Sequence, residues 1–492
     1  MRGVFQYKKY AAGNPDLAEY YGEEDAVALR DHYENFGHAE QRGVDLASYF
    51  RLEGMLLSDE GDIFLTGWAD RRFFSELHII LDIGYFRYDF GIADVSWYYR
   101  EDVSHLILDP HNDAGFNVVL KIDDLVPHSR VDVVINNRVV RTESLVRWQS
   151  ADVFLQQVLG ALAVLADRPV GESFGYAEKI RPAMAAVWQR YLNRLEFLRA
   201  FRCGRTDGIR LSILIVLYRT ADMLIPQLRE FEEILSRDDV EVVIVGNALG
   251  RTDRLVEELW ALSQIQTMNV SLYLCSGNSG FSAANNFAAE AASGEILVLM
   301  NPDVFPPENV TCDTWSFLET DPGDGLVGAV LYYGNGSLMH SGMYVVRDLA
   351  IDPRTAMAHE VMRVEHFGKG VVHTIDEDAA AVTRALASVR QDVCLVSAAL
   401  WKIRKEVFFE NGGLPTDYIF AYYEDADFCL RFRQAGGSVS VDERARFIHM
   451  EGVSKDTPPA VRTFMWLNRH LFSERFSGSA LVVDTSADLD LL

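Results

Sequence analysis

Two apolar runs, Leu211 to Tyr218 and Val240 to Val245, interrupted only by Ser212 and Glu241 near their starts, constrain the fold of this chain more than any other feature. A strand with one face in water alternates polar and apolar side chains, whereas a strand buried on both faces does not. Continuous runs of this length therefore predict parallel strands inside an α/β sheet. The crossover elements are present: Leu224 to Leu235 and Leu255 to Leu262 read as amphipathic helices, Val270 to Leu274 as a third strand and Ile296 to Met300 as a fourth. Such βαβ units cross right-handed into a doubly wound, Rossmann-like sheet. No internal repeat or low-complexity tract interrupts the pattern.

The fourth strand lies in the most informative stretch, Asn278 to Asp303. It reads in order as a glycine-containing loop, an alanine-rich helix opened by Ser282, a glycine stop at Gly294, the strand, and the turn Asn301-Pro302-Asp303. Ligands of an open α/β sheet bind outside the carboxyl ends of its strands, which is where Asp303 stands. Asn278 and Gly280 lie where the backbone passes close to a ligand, an approach that glycine permits. Asn285 either holds the loop or meets the ligand. Each also has a plainer reading. Asn-Pro-Asp favours turns whatever its function, Gly280 fits an ordinary loop, and Asn285 and Asn286 fit a polar helix face.

Two further constellations follow. Phe420-Ala-Tyr-Tyr-Glu-Asp-Ala-Asp-Phe-Cys-Leu-Arg sets Glu424, Asp425 and Asp427 at a helix start, where the macrodipole favours a carboxylate and keeps it ionised, ready to accept a proton. Asp427 and Arg431, four apart, read as a structural ion pair. A well-capped acidic helix start explains the same residues. In Phe447-Ile-His-Met-Glu-Gly-Val-Ser454 a strand ends at His449, and a lone histidine there is ordinarily a satisfied polar residue. His359, His366 and His373 fall in a stretch from about Arg347 to Asp392 that reads as irregular, and their spacing is no zinc signature.

Taken in order, these motifs resemble those of the family 2 glycosyltransferases, in particular the bacterial rhamnosyltransferase-like branch with the GT-A fold. The matching patterns are Asn-x-Gly-Phe-x-x-x-Asn, then Asn-Pro-Asp after a strand; Glu-Asp-x-Asp-x-x-x-Arg after the apolar and glycine-containing segment Val396 to Leu414; and a strand followed by His-x-x-Gly-x-Ser. The resemblance covers about Ile209 to Ser454. It implies a donor that is a nucleoside-diphosphate sugar, and an acceptor that is a glycan or lipid-linked sugar of cell-surface polysaccharide synthesis. It implies that Asp303 and His449 hold a divalent metal, Mn2+ or Mg2+, which neutralises the departing diphosphate. Asp425, beside Glu424, is then the general base of an inverting single displacement that needs no enzyme nucleophile. Tyr218, Arg219, Asn247, Asn278, Gly280, Phe281, Asn285 and Asn301 would contact the donor.

Two departures leave the donor base open. Family members commonly end the second strand in Asp-Asn, where this chain has Gly246-Asn247, and the first in Tyr-Asn, where it has Tyr218-Arg219. Gly246 favours a reading of another class, a non-catalytic glycan-binding or scaffold protein with a degenerate transferase domain. A glycosidase using Glu424 and Asp425 ranks last. Adjacent helix residues diverge by about 100° and do not easily flank one glycosidic bond.

Length and composition bound the rest. At 492 residues the chain exceeds the roughly 250–300 at which a single core stops growing, so several domains are expected. A net charge of -26 argues against a nucleic-acid partner. Cys203, Cys275, Cys312, Cys394 and Cys429 are widely spaced, which favours a reduced, cytoplasmic setting. The first residues have no apolar core of signal-peptide length, and the best apolar run, Val158 to Ala166, falls far short of the ~20 residues of a membrane helix. Peripheral contact with the inner face of a cell membrane stays open, as does oligomeric state.

The expected organisation has five parts: a small helical module at 1–48, a β-sandwich-like domain at 49–147, a helical connector at 148–207, the GT-A domain at 208–455 and a C-terminal helical tail at 456–492. The first, read from Asn14-Pro15-Asp16-Leu17, His32-Tyr33 and Phe36-Gly37-His38-Ala39-Glu40, resembles a module found beside some bacterial polysaccharide glycosyltransferases. Strands are expected at Ile63 to Trp68, Leu77 to Ile83, His105 to Leu108, Phe116 to Ile122 and Val131 to Val140. Trp68, Trp97, Tyr98 and Tyr99 fit either a core or a sugar-stacking surface, more often the former. In the connector the 3.6-residue period runs on to Leu195. Arg194, Arg199, Arg202 and Arg205 then read as a solvated helix face or as a contact for anionic lipid.

Overall fold

The computed structural model describes residues 7–37, 50–70, 79–83, 86–90, 95–107, 113–121, 130–135, 138–144, 149–219, 221–308, 312–370, 395–450 and 458–484. The chain parts into two compact units: Met1–Val158 with Pro182–Met184, and Leu159–Arg181 with Ala185–Leu492.

The first unit begins with three short helices, Tyr7–Gly13, Pro15–Tyr21 and Ala26–His32. They close over Tyr10, Leu17 and Leu29, with Tyr10 Oη 3.1 Å from His32 Nδ1. Two four-stranded antiparallel sheets follow. In one, Asp62–Ala69 pairs with Phe50–Leu57 and with Gly115–Lys121. Trp68, Trp97 and Tyr98 are buried there, so they serve as core and present no stacking surface for a sugar.

Two strand expectations fail in this unit. His105 lies in a helix, Glu101–Ile107. Two acids open that helix, and Val103 and Ile107, four apart and so on one helix face, pack with Trp68 and Ala114. The run Val131 to Val140 is two antiparallel paired strands, Arg130–Ile135 and Arg138–Ser144, and residues 136 and 137 lie outside the described residues. Leu77, Leu108 and Ile122 lie outside the described residues.

The second unit is built on one large sheet. Its strand order is Val304–Phe305, Val439–His449, Leu326–Tyr332, Leu400–Arg404, Ile296–Met300, Leu211–Tyr218, Val240–Asn247, Asn269–Cys275 and Phe197–Cys203. The strands expected from continuous apolar runs are the parallel centre: Leu211–Tyr218 lies between Val240–Asn247 and Ile296–Met300, and Asn269–Cys275 joins the far side. Leu211, Ile213 and Ile215 pack against one helical layer and Leu214 against the other, as two-sided burial requires. The sheet is thus the expected α/β, Rossmann-like core.

Helices differ in detail from expectation. Leu224 to Leu235 breaks at Phe231 into Leu224–Glu230 and Glu232–Leu235, and the alanine-rich helix starts at Gly280, ahead of Ser282. Two corrections are larger. The supposed continuation of the connector helix past Leu195 is the edge strand Phe197–Cys203, antiparallel to Asn269–Cys275. Phe197 stacks on Phe287 with ring centroids 4.1 Å apart, while Phe201 and Cys203 pack into the core on the other face. Arg199 and Arg202 are accordingly exposed on a strand and not on a helix. The stretch after Arg347 that reads as irregular is largely a hairpin, Met343–Ile351 with Ala358–His366, turning through Asp352 to Met357. His373 lies outside the described residues. Helix Pro459–Phe476 packs within the same unit, Thr463 Oγ1 donating to the Leu159 carbonyl at 2.7 Å.

Candidate active site

Three segments meet at the carboxyl ends of the parallel strands. Ile296–Met300 is followed by a turn that Gln227 braces: its buried Nε2 donates to the carbonyls of Asn301 at 2.7 Å and Val304 at 2.8 Å. Val304 pairs with His449 across the antiparallel ladder, and the Met450 amide donates to the Asp303 carbonyl at 3.0 Å. This registers the two side chains: His449 Nε2 lies 2.9 Å from Asp303 Oδ1 and 3.4 Å from Asn301 Nδ2. The other ring nitrogen of His449 faces Met339 Sδ at 3.0 Å. His449 is buried, and Asp303 remains partly open.

Asp425 is held by the tripeptide Ser397–Ala399. Its Oδ2 accepts from the Ala398 amide at 3.3 Å, and Oδ1 accepts from the Ala426 amide at 2.8 Å. The carbonyl of Ala399 accepts from the Asn301 amide at 2.9 Å. The same three residues therefore touch the Asp425 carboxylate at one end and the turn carrying Asp303 at the other.

Helix Glu424–Gln434 has an unusual approach. Phe420, Tyr422 and Tyr423 take positive φ of 59°, 81° and 76°, a region bulky residues rarely enter. Asn468, buried in the Pro459–Phe476 helix, holds this turn through the amide of Ile419 and the carbonyls of Ile419 and Ala421. Asp427 is fully enclosed among Arg431 at 2.6 Å, Tyr418 Oη at 2.8 Å and Arg475 at 2.5 Å. Its pairing with Arg431 is the one the four-residue spacing predicts.

Charge in this helix start departs from expectation. The macrodipole argument has Asp425 simply held ionised, but burial raises its pKa, against the pull of the Ala426 and Ala398 amides. Burial, with the Asp425 charge adding to it, pushes Glu424 up to about 8. Glu424 Oε2 is enclosed with no hydrogen-bond partner.

The glycine-containing loop docks on the same turn. The Phe281 amide donates to the Phe420 carbonyl at 2.6 Å, and a Cβ on Gly280 (φ +73°) would lie 2.5 Å from that oxygen, so only glycine fits without displacement. Asn247 ties the loop to the sheet: Nδ2 donates to the Gly280 carbonyl at 3.1 Å, and Oδ1 accepts from Ser279 Oγ at 2.8 Å. Asn278 Oδ1 accepts from the Gly280 amide at 3.0 Å. Asn285 Nδ2 donates to the Phe281 carbonyl at 3.0 Å, one turn back in its own helix, so its amide is engaged in holding the loop. Tyr218 and Arg219 stand exposed at the end of their strand, the Arg219 guanidinium 4.9 Å from the Tyr218 ring centre. The Arg219 amide donates to the Asn247 carbonyl at 3.2 Å, their one described tie to the loop.

Asp303, Asn301 and His449 thus form one cluster. Asp425 joins it through Ser397–Ala399, and Asn278, Gly280 and Phe281 join through Phe420. Among the described residues no three His, Cys, Asp or Glu side chains form a cluster able to hold a metal. No described helix is long and apolar enough to cross a membrane. Sequence reasoning passed over Gln227, Met339, Ser397 and Asn468. Their sequence surroundings are ordinary, and only His340, alone after Leu338 and Met339, hints at a buried polar contact.

Residues 212–363 match the family model described as Glycosyl transferase family 2. An uncharacterized protein, y4gI, of Sinorhizobium fredii (strain NBRC 101917 / NGR234) is 29% identical over 237 residues, covering 46% of this chain and 23% of that protein's length. Among solved structures, the mannosyltransferase PcManGT from Pyrobaculum calidifontis, in complex with GDP-Man and Mn2+, is similar at 18% identity and a TM-score of 0.36, over 65% of this chain and 76% of that one. S. aureus TarS is similar at 16% identity and a TM-score of 0.32, over 49% of this chain and 36% of that one. At these TM-scores neither likeness carries a residue role or a substrate to this chain. The family match lies within the second unit, over residues 212–363, where the mixed α/β sheet has the arrangement expected of a GT-A fold.

Proposed function

We propose that this chain is an inverting, divalent-metal-dependent glycosyltransferase of bacterial surface-polysaccharide synthesis. It would move a sugar from a nucleoside-diphosphate sugar to a hydroxyl of a glycan or lipid-linked acceptor, at the inner face of the cell membrane. The observation that carries this reading is the tripeptide Ser397–Ala399, which binds both the Asp425 carboxylate and the turn bearing Asp303.

The donor set near Asp303 fits a divalent cation. Methionine sulfur is a weak acceptor, so the Nδ1 proton of His449 can point to Met339 and leave the Nε2 lone pair beside the Asp303 carboxylate. Asp303 and His449 would hold the ion, with diphosphate oxygens and water completing its shell as is usual at phosphate sites. Bound there, the cation would supply positive charge to offset that on the departing diphosphate.

The chain's own residues do the rest. Asn278, Gly280, Phe281 and Asn301 would shape the donor pocket, with Asn247 and Asn285 fixing the loop and Tyr218 and Arg219 at its open edge. Asp425 takes the proton of the acceptor hydroxyl as that oxygen attacks the anomeric carbon opposite the diphosphate. The new C–O bond forms as the C–O bond to diphosphate breaks, and the configuration inverts. An upward-shifted pKa suits Asp425 to this task, since a base is most effective when its pKa approaches the working pH. Glu424, largely neutral near pH 7, spares the site a second negative charge. Gly246 offers no side chain to a nucleotide base, and a Cβ there would lie 2.5 Å from Leu249.

Purified protein given Mn2+ and a panel of nucleotide sugars should release nucleoside diphosphate, and Asp425→Asn should abolish turnover while donor binding persists in calorimetry. Turnover surviving in Asp425→Asn removes the base assignment. Lack of metal-dependent binding to every nucleotide sugar moves the chain to the glycan-binding class.

A further inference from the structure

We propose that His340 and His366 form a neutral histidine pair that positions Asp425 by fixing the amide of Ser397. The role rests on the glycosyltransferase reading of Asp425; the hydrogen-bonded chain behind it does not.

His340 Nε2 lies 3.3 Å from the Ser397 amide nitrogen, and His340 Nδ1 lies 3.0 Å from His366 Nδ1, the rings meeting edge to face at 80°. These contacts assign every proton. A backbone N–H can only donate, so His340 Nε2 is bare and its proton sits on Nδ1. That proton can only be given to His366 Nδ1, so His366 carries its own on Nε2. Protonating either ring at the shared or amide-facing nitrogen would set two donors against each other. Burial keeps the pair neutral, lowering His340 well below its usual value and His366 to about 4, with the Lys369 charge acting the same way on both.

The pair's position explains its use. His340 belongs to the short strand Leu338–His340, on which Met339 faces His449 while His340, on the opposite side, reaches Ser397. His366 ends the second strand of the hairpin, and the next residue is pinned to the two residues that follow His340: the Phe367 amide donates to the Gly342 carbonyl at 3.1 Å, and Ser341 Oγ to the Phe367 carbonyl at 3.0 Å. With its amide held, Ser397 fixes the next amide, that of Ala398, which donates to Asp425 Oδ2 at 3.3 Å, while the Ser397 hydroxyl accepts the Ala399 amide at 3.3 Å. His340 is therefore a positioning residue, acting on the base through Ser397.

The test compares His340→Leu, His340→Gln and His366→Leu in the full chain. Glutamine keeps an acceptor for the Ser397 amide and leucine does not. His340→Leu should lower kcat about 10–100-fold, the scale seen when a supporting hydrogen bond behind an active group is removed, with nucleotide-sugar affinity unchanged. It should also move the acidic limb of the kcat/KM profile to higher pH, because Asp425 loses hydrogen bonds that favour its charged form. Glu424 and Asp427 on Asp425's own helix, and His449 and Lys369 near the pair, are unaltered in all variants. His340→Gln should recover most of kcat and the original limb, and His366→Leu should fall between. Independently of turnover, hydrogen exchange at Ser397 should quicken in His340→Leu and return in His340→Gln. A wild-type protein inert toward every nucleotide sugar, with exchange as described, would fault the enzymatic reading and leave the hydrogen-bonded pair intact. Unchanged exchange and an unchanged pH limb in His340→Leu, or a glutamine variant no better than leucine, would overturn the pair.

Discussion

Asn468 closes on Ile419 from both sides, Oδ1 accepting its amide at 2.9 Å and Nδ2 donating to its carbonyl at 3.0 Å, with a third bond to the Ala421 carbonyl at 2.8 Å. A helix near the end of the chain thereby fixes the turn that delivers Asp425. The turn needs such a brace, because three of its four residues from Phe420 to Tyr423, all but Ala421, hold strained positive φ. Asn468→Leu removes all three bonds and leaves buried backbone groups unpaired, at about 1–3 kcal/mol for each group stranded. The denaturant midpoint should fall and kcat should fall with it, and Asn468→Asp should fall as well, because it keeps the acceptor for the Ile419 amide but sets a carboxylate oxygen against the Ile419 and Ala421 carbonyls. A leucine variant with wild-type kcat would show that the turn holds itself.

Gln227 does for the Asp303 turn what Asn468 does for the Asp425 turn. Its Nε2 bridges the carbonyls of Asn301 and Val304, and its side chain is almost wholly enclosed. Gln227→Met keeps the volume and removes the donor. The expected result is Mn2+ binding weakened about 10–100-fold in calorimetry with nucleoside diphosphate present, with kcat at saturating metal reduced less. Equal metal affinity in variant and wild type would mean that the ladder pairing of Val304 with His449 is enough to present Asp303.

The parallel centre of the sheet is legible in the sequence because a strand buried on both faces has one composition throughout, as Ile213 to Leu217 does. The hairpin Met343–Ile351 with Ala358–His366 is not, because its partly open faces carry Arg347, Asp348, Glu360 and Arg363, which mask the alternation. The edge strand Phe197–Cys203 is hidden for a related reason: its arginines satisfy a helical period as readily as a strand's. The Asp427–Arg431 pair is readable since it is local to one helix. The link from Asp303 to Asp425 runs instead through backbone groups of Ser397–Ala399, whose hydrogen bonding no side-chain identity reports. The His340–His366 pair joins two strands whose pairing the sequence does not announce.

Glu424 makes stability depend on pH in a direction opposite to most carboxylates. Its pKa rises from an ordinary 4.5 to about 8 in the folded protein, so the folded state binds the proton more tightly than the unfolded one. Its contribution is therefore complete below the unfolded value and is lost as pH climbs through the folded one. Asp425, also raised, acts with the same sign. Glu424→Gln removes this dependence. The stability of wild type relative to Glu424→Gln should fall between about pH 4.5 and about pH 8, by at most about 1.4 kcal/mol per unit, and be flat above. Urea midpoints across that window decide the matter: parallel profiles for the two proteins would mean that Glu424 ionises normally.

Gly280 and Phe420 join the donor loop to the turn before the base, and the joint has no slack. A methyl group at Gly280 would lie 2.5 Å from the Phe420 carbonyl oxygen and 2.9 Å from its Cα, both backbone atoms that no rotamer change can move away. The left-handed conformation, φ +73°, adds about 1–2 kcal/mol for any residue with a Cβ. Gly280→Ala must therefore displace either the loop from Asn247 or the Phe420–Tyr423 turn from Asn468. Asn247 spends both ends of its amide on the loop, so the two displacements are distinguishable. Movement of the loop raises KM for the donor, and movement of the turn lowers kcat. Since the turn already carries three positive φ values, it is the part expected to yield, giving a kcat loss larger than the KM change. Gly250→Ala, where a Cβ meets nothing within 4 Å, is the control and should leave both constants unchanged. A KM effect alone in Gly280→Ala would locate the weakness in the loop, and no effect on either constant would show that loop and base move independently.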